Sequence, residues 1–149
     1  GYELNLGYQN NGIKAYLGMS HNDPELNGEY YGYALDVIPT GDKYVASVSY
    51  QFDDPQLEIG VKHRHMDEYQ YREASETEDR TMPKYWVTDA FANWQPFNND
   101  SLSLNAGINN IADKMYYNQS NFRSTRFTDL TNWNAERGRE YRVGINYKF

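Results

Sequence analysis

The chain has 149 residues, no cysteine, and 21 acidic residues against 14 lysines and arginines, for a net charge of −7. That composition excludes a disulfide framework and a thiolate metal site, and it argues against nucleic acid as a partner. Mean hydropathy is −0.93 and no apolar run approaches the roughly 18 residues of a membrane helix, but a barrel strand touches lipid with only every second residue, so a polar mean does not exclude a membrane.

The first predicted strand covers about 2–9. Tyr2, Leu4, Leu6 and Tyr8 alternate with Glu3, Asn5, Gly7 and Gln9, and a period of 2 sends the two sets to opposite faces of a sheet. Strand character begins at Gly1-Tyr2-Glu3-Leu4 with no signal peptide before it, so a mature form or an excised piece is expected. Asn10-Asn11-Gly12 is a hairpin turn signal, because Asn and Gly tolerate positive φ. The second strand, 13–21, sets Ile13, Ala15, Leu17 and Met19 against Lys14, Tyr16, Gly18 and Ser20.

A long connection rich in Gly, Pro, Asp and Tyr follows, from about 22 to 42. The third strand, 43–52, places Tyr44, Ala46, Val48, Tyr50 and Phe52 on one face. A short Asp53-Asp54-Pro55-Gln56 turn leads to the fourth, 57–65, where Leu57, Ile59 and Val61 alternate with Glu58, Gly60, Lys62 and Arg64. The second long connection, 66–84, holds six acids and reads as solvated with no apolar face. The fifth strand, 85–95, has a less clean parity, with Asp89 placed inside and Trp94 in an aromatic belt. The sixth, 101–109, sets Leu102, Leu104, Ala106 and Ile108 against polar neighbours. A third long connection, about 110–138, precedes the last strand, 139–149. There Tyr141, Val143, Ile145, Tyr147 and Phe149 oppose Glu140, Arg142, Gly144, Asn146 and Lys148, over a length that suits the roughly 9–11 residues of a spanning strand.

Connections alternate short and long. A meander therefore puts every short turn at one end and every long loop at the other, the asymmetry of an outer-membrane barrel with its long loops extracellular. Tyr8, Tyr50, Phe52, Trp94, Tyr147 and Phe149 form an expected girdle at the short-turn end, and Tyr2, Tyr44 and Tyr141 one at the other. An eighth crossing over Glu29–Ile38 would destroy the asymmetry, so seven strands are expected. An open seven-stranded sheet would leave two unpaired edges in lipid, which implies a section of a larger barrel.

Two segments carry more than a generic barrel pattern. Asn105-Ala106-Gly107-Ile108-Asn109-Asn110-Ile111-Ala112-Asp113-Lys114-Met115-Tyr116-Tyr117 resembles the V-x-N-L-F-D-K-x-Y segment before the last loop of TonB-dependent outer-membrane receptors, with Ile111-Ala112 in place of the usual Leu-Phe. Gly138 to Phe149 resembles their closing G-R-x-Y-x-x-G-x-x-Y-x-F. The resemblance implies an all-β, antiparallel up-and-down transmembrane barrel of about 22 strands with a plugged lumen, of which this chain is the last seven, with the plug outside it. It implies import of haem or another iron complex, energised through TonB, in the bacterial outer membrane as a multi-pass barrel. Partners on this reading are outer-membrane lipid and lipopolysaccharide, the plug and the TonB complex, and a haemophore or haemoprotein. No intrinsic cofactor is expected. Ile38-Pro39, Tyr50-Gln51-Phe52-Asp53, Leu57 to Val61 and Trp94-Gln95-Pro96 look like haem receptors; a ferric-siderophore receptor is the alternative.

Among single residues, Tyr116, Tyr117, Arg123, Arg126 and Trp133 of the last loop, with Phe122 and Phe127, suit a planar or anionic ligand or a protein partner, against a loop folded on its own aromatics. Tyr147 and Phe149 are the expected assembly signal. His21, His63 and His65 are candidate axial haem ligands, but their parity is that of the lipid-facing residues. His63 and His65 lack the third ligand of a metal site. Inward charges, among them Glu3, Lys14, Glu58, Lys62, Arg64, Asp89, Glu140, Arg142 and Lys148, read as cross-strand ion pairs or a wall facing the plug. No catalytic constellation is present, and no enzyme is expected. A small self-contained barrel, acting as an anchor, an adhesin or an enzyme (an acyltransferase or lipase with a Ser-His pair), is the rival architecture.

Overall fold

The structure is a computed structural model that describes residues 1–22, 25–26, 29–30, 40–71, 80–97, 101–119 and 135–149. In chain order its strands are β1 (Tyr2–Asn10), β2 (Ile13–His21), β3 (Glu25–Leu26), β4 (Glu29–Tyr30), β5 (Lys43–Phe52), β6 (Gln56–Met66), β7 (Tyr69–Tyr71), β8 (Arg80–Met82), β9 (Tyr85–Gln95), β10 (Leu102–Asn109) and β11 (Glu140–Tyr147). Seven of them form one antiparallel sheet in the order β1-β2-β5-β6-β9-β10-β11, and β3-β4 and β7-β8 are separate two-stranded pairs. The short pieces at Glu25–Leu26 and Glu29–Tyr30 pair with each other and do not add a crossing; the rest of the Glu29–Ile38 segment lies outside the described residues.

The seven long strands run where alternation places them, within two residues at each end. The terminal strand is shorter than 139–149. Its ladder spans Glu140–Tyr147, although Lys148 N still donates to Ser101 O at 2.9 Å. In the first turn Asn11 and Gly12 adopt φ of 47° and 79°, the left-handed conformations that a tight Asn-Gly hairpin requires.

Register decides how the faces line up. Antiparallel partners share a face, and one unbroken row reads Tyr8, Ala15, Val48, Val61, Ala90, Ile108, Tyr141 across all seven strands. Tyr8 lies near the short-turn end of β1, whereas Tyr141 lies near the long-loop end of β11. The row climbs the sheet, as it must when strands tilt and stagger around a barrel. Every residue expected to face lipid falls on this outward side. Leu4, Leu6, Leu17, Val143 and Ile145 are exposed, Val143 at 81 %. A contiguous apolar face of that extent is far larger than soluble proteins leave in water; hydrocarbon is the solvent that covers it.

The parity of β9 is explained by its neighbours. Phe91 points inward, between Gly60 on β6 and Gly107 on β10. A methyl group on Gly60 would come within 2.6 Å of the Phe91 ring tip and 2.7 Å of Ser49 Cβ, so the ring occupies space that only glycine leaves.

The protected core is small and sits at the long-loop end: Met66, Met82 and Val87 are 2 %, 0 % and 1 % exposed. This corrects the reading of 66–84 as a solvated connection without an apolar face. Residues 69–71 and 80–82 pair, Tyr69 opposite Met82, and both methionines that bracket the segment are buried. Six acids hid two apolar anchors, because the anchors are 16 residues apart and follow neither the strand nor the helix period.

Candidate functional site

The inward face is wired by ion pairs, some between strands and some along one. Lys14 Nζ lies 3.1 Å from Glu58 Oε1, and Ser49 Oγ donates to the same oxygen at 2.7 Å. Arg64 Nη2 meets Asp89 Oδ2 at 3.0 Å. Near β11, Glu140 receives Arg142 at 2.8 Å and Arg137 at 3.3 Å. These carboxylates are each reached by at least two donors, which holds the wall in one arrangement.

Between Arg64 and Glu140 the wall is hollowed into a recess of about 560 Å³. Lys62, Arg64, Arg137 and Arg142 line it with Asp89, Glu136, Glu140 and Tyr116. Four basic side chains thus face three carboxylates. Lys62 makes no ion pair among the described residues, and Arg64 Nε is buried without a hydrogen-bond partner there. The Tyr116 ring packs against that of Tyr85, with centroids 4.9 Å apart and the planes tilted by 34°. Burial raises the Tyr116 phenol above its ordinary pKa, opposed by Arg64, so at neutral pH it is an uncharged O–H donor. The recess therefore offers cations and a hydroxyl to an anionic, oxygen-rich group.

The two motif segments hold each other at the rim. Asn110 is buried in the left-handed conformation, φ 53°. Its amide N donates to Asp89 Oδ1 at 2.9 Å, its Nδ2 donates to Lys114 O at 2.7 Å, and its Oδ1 accepts from Lys114 N at 3.0 Å. Asp113, at φ 53°, accepts Arg139 N on Oδ1 at 2.7 Å, and Arg139 Nε donates to Ile111 O at 2.9 Å. A Cβ at Gly138 would lie 2.6 Å from that same Asp113 oxygen. The Asn-Asn-x-x-Asp-Lys segment and the Gly-Arg opening of the last strand are thus two halves of one clasp, which fixes where β11 enters the sheet.

A second fastening went unread in the sequence. Gln119 is fully buried; its Oε1 accepts Gly41 N at 2.9 Å, and its Nε2 donates to Asp67 O at 2.8 Å and Pro83 O at 3.2 Å. Asp67 N in turn donates to Asp42 O at 2.9 Å. One side chain joins all three long connections. Its partners stand 36 to 78 residues away, so no local pattern marks it.

Of the residues singled out for ligand binding, Tyr116 lines the recess. Tyr117 is half-buried and lies outside its lining. Arg123, Arg126 and Trp133, with Phe122 and Phe127, lie outside the described residues. Tyr147 and Phe149 sit at the short-turn end with their rings edge to face at 5.1 Å. The three histidines are outward. His21 Nδ1 meets Asp42 at 2.6 Å, His65 Nε2 meets Asp67 at 2.8 Å, and His63 contacts Thr88 Oγ1 at 2.9 Å. Tyr2 stacks on His21 at 4.9 Å, and His63 lies 5.8 Å from Trp86. They belong to the aromatic girdle at the long-loop end. No group of three metal-ligating side chains assembles among the described residues.

No protein-family model and no curated protein matches the chain. Solved structures do. The FrpB iron transporter from Neisseria meningitidis, F3-3 variant, is similar at 30 % identity and a TM-score of 0.76 over 99 % of this chain and 22 % of that one. Its F5-1 variant gives 28 % and 0.78 over 99 % and 23 %. The ferripyoverdine receptor of the outer membrane of Pseudomonas aeruginosa shares the fold at 20 % identity, with a TM-score of 0.67 over 99 % and 19 %. The chain thus spans less than a quarter of the length of these proteins. Its two-faced register, its rim clasp and this likeness place the chain among the TonB-dependent outer-membrane receptors, as a portion of their transmembrane β-barrel.

Proposed function

We propose that the chain is the C-terminal, barrel-closing section of an outer-membrane receptor that imports haem or another iron complex with energy delivered through TonB. The observation that carries this reading is the pairing of a lipid-facing apolar side with a charged inner wall on the backbone of an iron transporter. On this reading the remaining strands, the plug and the TonB-contacting segment belong to the rest of the receptor. The recess beside Tyr116 and the last loop, with Tyr117, Arg123, Arg126 and Trp133, serve cargo or a haemophore at the outer face. The barrel crosses the membrane many times, and this section acts as wall and rim rather than as an enzyme.

Haem and ferric siderophores are the two cargo classes. His21, His63 and His65 face away from the lumen, so on the haem reading iron ligation falls to other residues of the receptor. The deciding experiment is growth of an iron-starved, receptor-deleted strain carrying the intact receptor. Growth restored by haem alone selects haem, and growth restored by ferric siderophores alone selects siderophores. Growth restored by neither, with the receptor present in the outer membrane, overturns iron import.

A further inference from the structure

Four cations line the recess against three carboxylates, which leaves one positive charge over. The ion pairs show where it sits. Arg64 is held by Asp89, and Arg137 and Arg142 are both held by Glu140. Lys62 stands directly across from Asp89 on β9 and from Ser47 on β5. The carboxylate opposite it is nevertheless taken, because Asp89 Oδ2 accepts from Arg64 and Oδ1 from the Asn110 amide. Lys14 is the contrasting case on the same wall, an inward lysine tied to Glu58. Lys62 has no ion pair among the described residues, and Arg64 lies two positions along the same face of the strand. Like charges at that spacing repel. The Lys62 ammonium therefore raises the energy of an empty recess and lowers that of one holding an anion.

We propose that Lys62 is the specificity-determining residue of the recess and binds one carboxylate of the imported iron complex, while the three arginines hold the wall. This rests on the import reading above. An ammonium is a point charge with three N–H donors, and the Tyr116 hydroxyl at the same recess adds another. A carboxylate brings one negative charge, which matches the one left over. A phosphate monoester brings about −1.5 to −2 and would set the excess against Asp89, Glu136 and Glu140. A neutral chelate would leave Lys62 uncompensated. Haem offers carboxylates in its propionates, and carboxylate siderophores offer them in their free arms.

The test measures binding to the intact receptor, purified in detergent, by quenching of its tryptophan fluorescence. Four probes are used: haem, haem dimethyl ester, a ferric carboxylate siderophore and a neutral ferric trihydroxamate. Heat-modifiable electrophoretic mobility reports the folded barrel independently. One carboxylate-bearing probe should bind about tenfold more tightly than its neutral counterpart, the worth of a charge-assisted hydrogen bond, and which of the two binds identifies the source of the carboxylate. Lys62→Gln should abolish that preference, Lys62→Arg should keep it, and Lys43→Gln, inward but outside the recess, should leave it unchanged. An undiminished preference in a folded Lys62→Gln receptor overturns the proposal and leaves iron import standing. Failure of a folded receptor to bind any of the four overturns both. A carboxylate of the plug seated on Lys62 would instead make Lys62→Gln lower the unfolding temperature with no change in preference, and that result also overturns the proposal.

Discussion

Gln119 shows how much a single side chain can hold when all of its hydrogen-bonding atoms are used away from water. From its own connection its amide satisfies one buried N–H and two carbonyls on the other two. Replacing it with Ala leaves Gly41 N without its acceptor, and an unsatisfied buried polar group costs roughly 1–3 kcal/mol. Gln119→Ala should therefore speed hydrogen exchange at the Gly41 amide by about tenfold for each 1.4 kcal/mol, read in the intact receptor. Gln119→Glu keeps the acceptor for Gly41 but loses the donors to Asp67 and Pro83, so the Gly41 amide should stay slow while the carbonyl side loosens. Equal exchange in all three proteins would show that the connections are held by something else. The same residue marks a limit of sequence reading. The strand faces are local properties of alternate residues, whereas the role of Gln119 exists only once segments far apart in sequence have met.

At the scale of the strand, alternation makes a sharp claim about neighbours. Val61 lies at the centre of β6 and faces outward between Val48 and Ala90, and Lys62 beside it faces inward. An arginine at mid-bilayer on the lipid face costs about 2–4 kcal/mol. Val61→Arg should lower the stability of the refolded receptor by that amount in urea titrations in lipid vesicles, and Lys62→Gln should change it by less than about 0.5 kcal/mol. If the two substitutions were equally harmless, the outward face would not meet hydrocarbon. Strand positions and faces were legible because both follow from a period of 2 and from turn residues such as Asn11 and Gly12. Part of the candidate site was legible too: Tyr116 reaches the recess, and the motif segments do bear on the rim. Their mutual clasp was not, since Asp113 meets Arg139 across 26 residues. Nor were the buried Met66 and Met82, whose contribution depends on what folds over them rather than on spacing.

The whole sheet is defined as much by its edges as by its faces. Among the described residues β1 pairs only with β2, and β11 only with β10, so each leaves a row of backbone donors and acceptors without a strand partner. Hydrocarbon supplies no hydrogen bonds, and an open edge there is not stable. The unusual exposure of Val143 follows from this edge position. In β11 the bond from Lys148 N to Ser101 O sets the phase of the ladder. With a period of 2, the amides of Glu140, Arg142, Gly144 and Asn146 point to β10, and those of Tyr141, Val143, Ile145 and Tyr147 point to the open side. In the isolated 149-residue chain these last four amides should exchange at rates near those of an unprotected chain. In the intact receptor they should be as protected as the amides of β6, which is flanked on both sides. Fast exchange of the four in a folded, membrane-inserted receptor would mean that β11 does not close against a further strand. Slow exchange would identify the open side of β11 as the seam at which the barrel is completed.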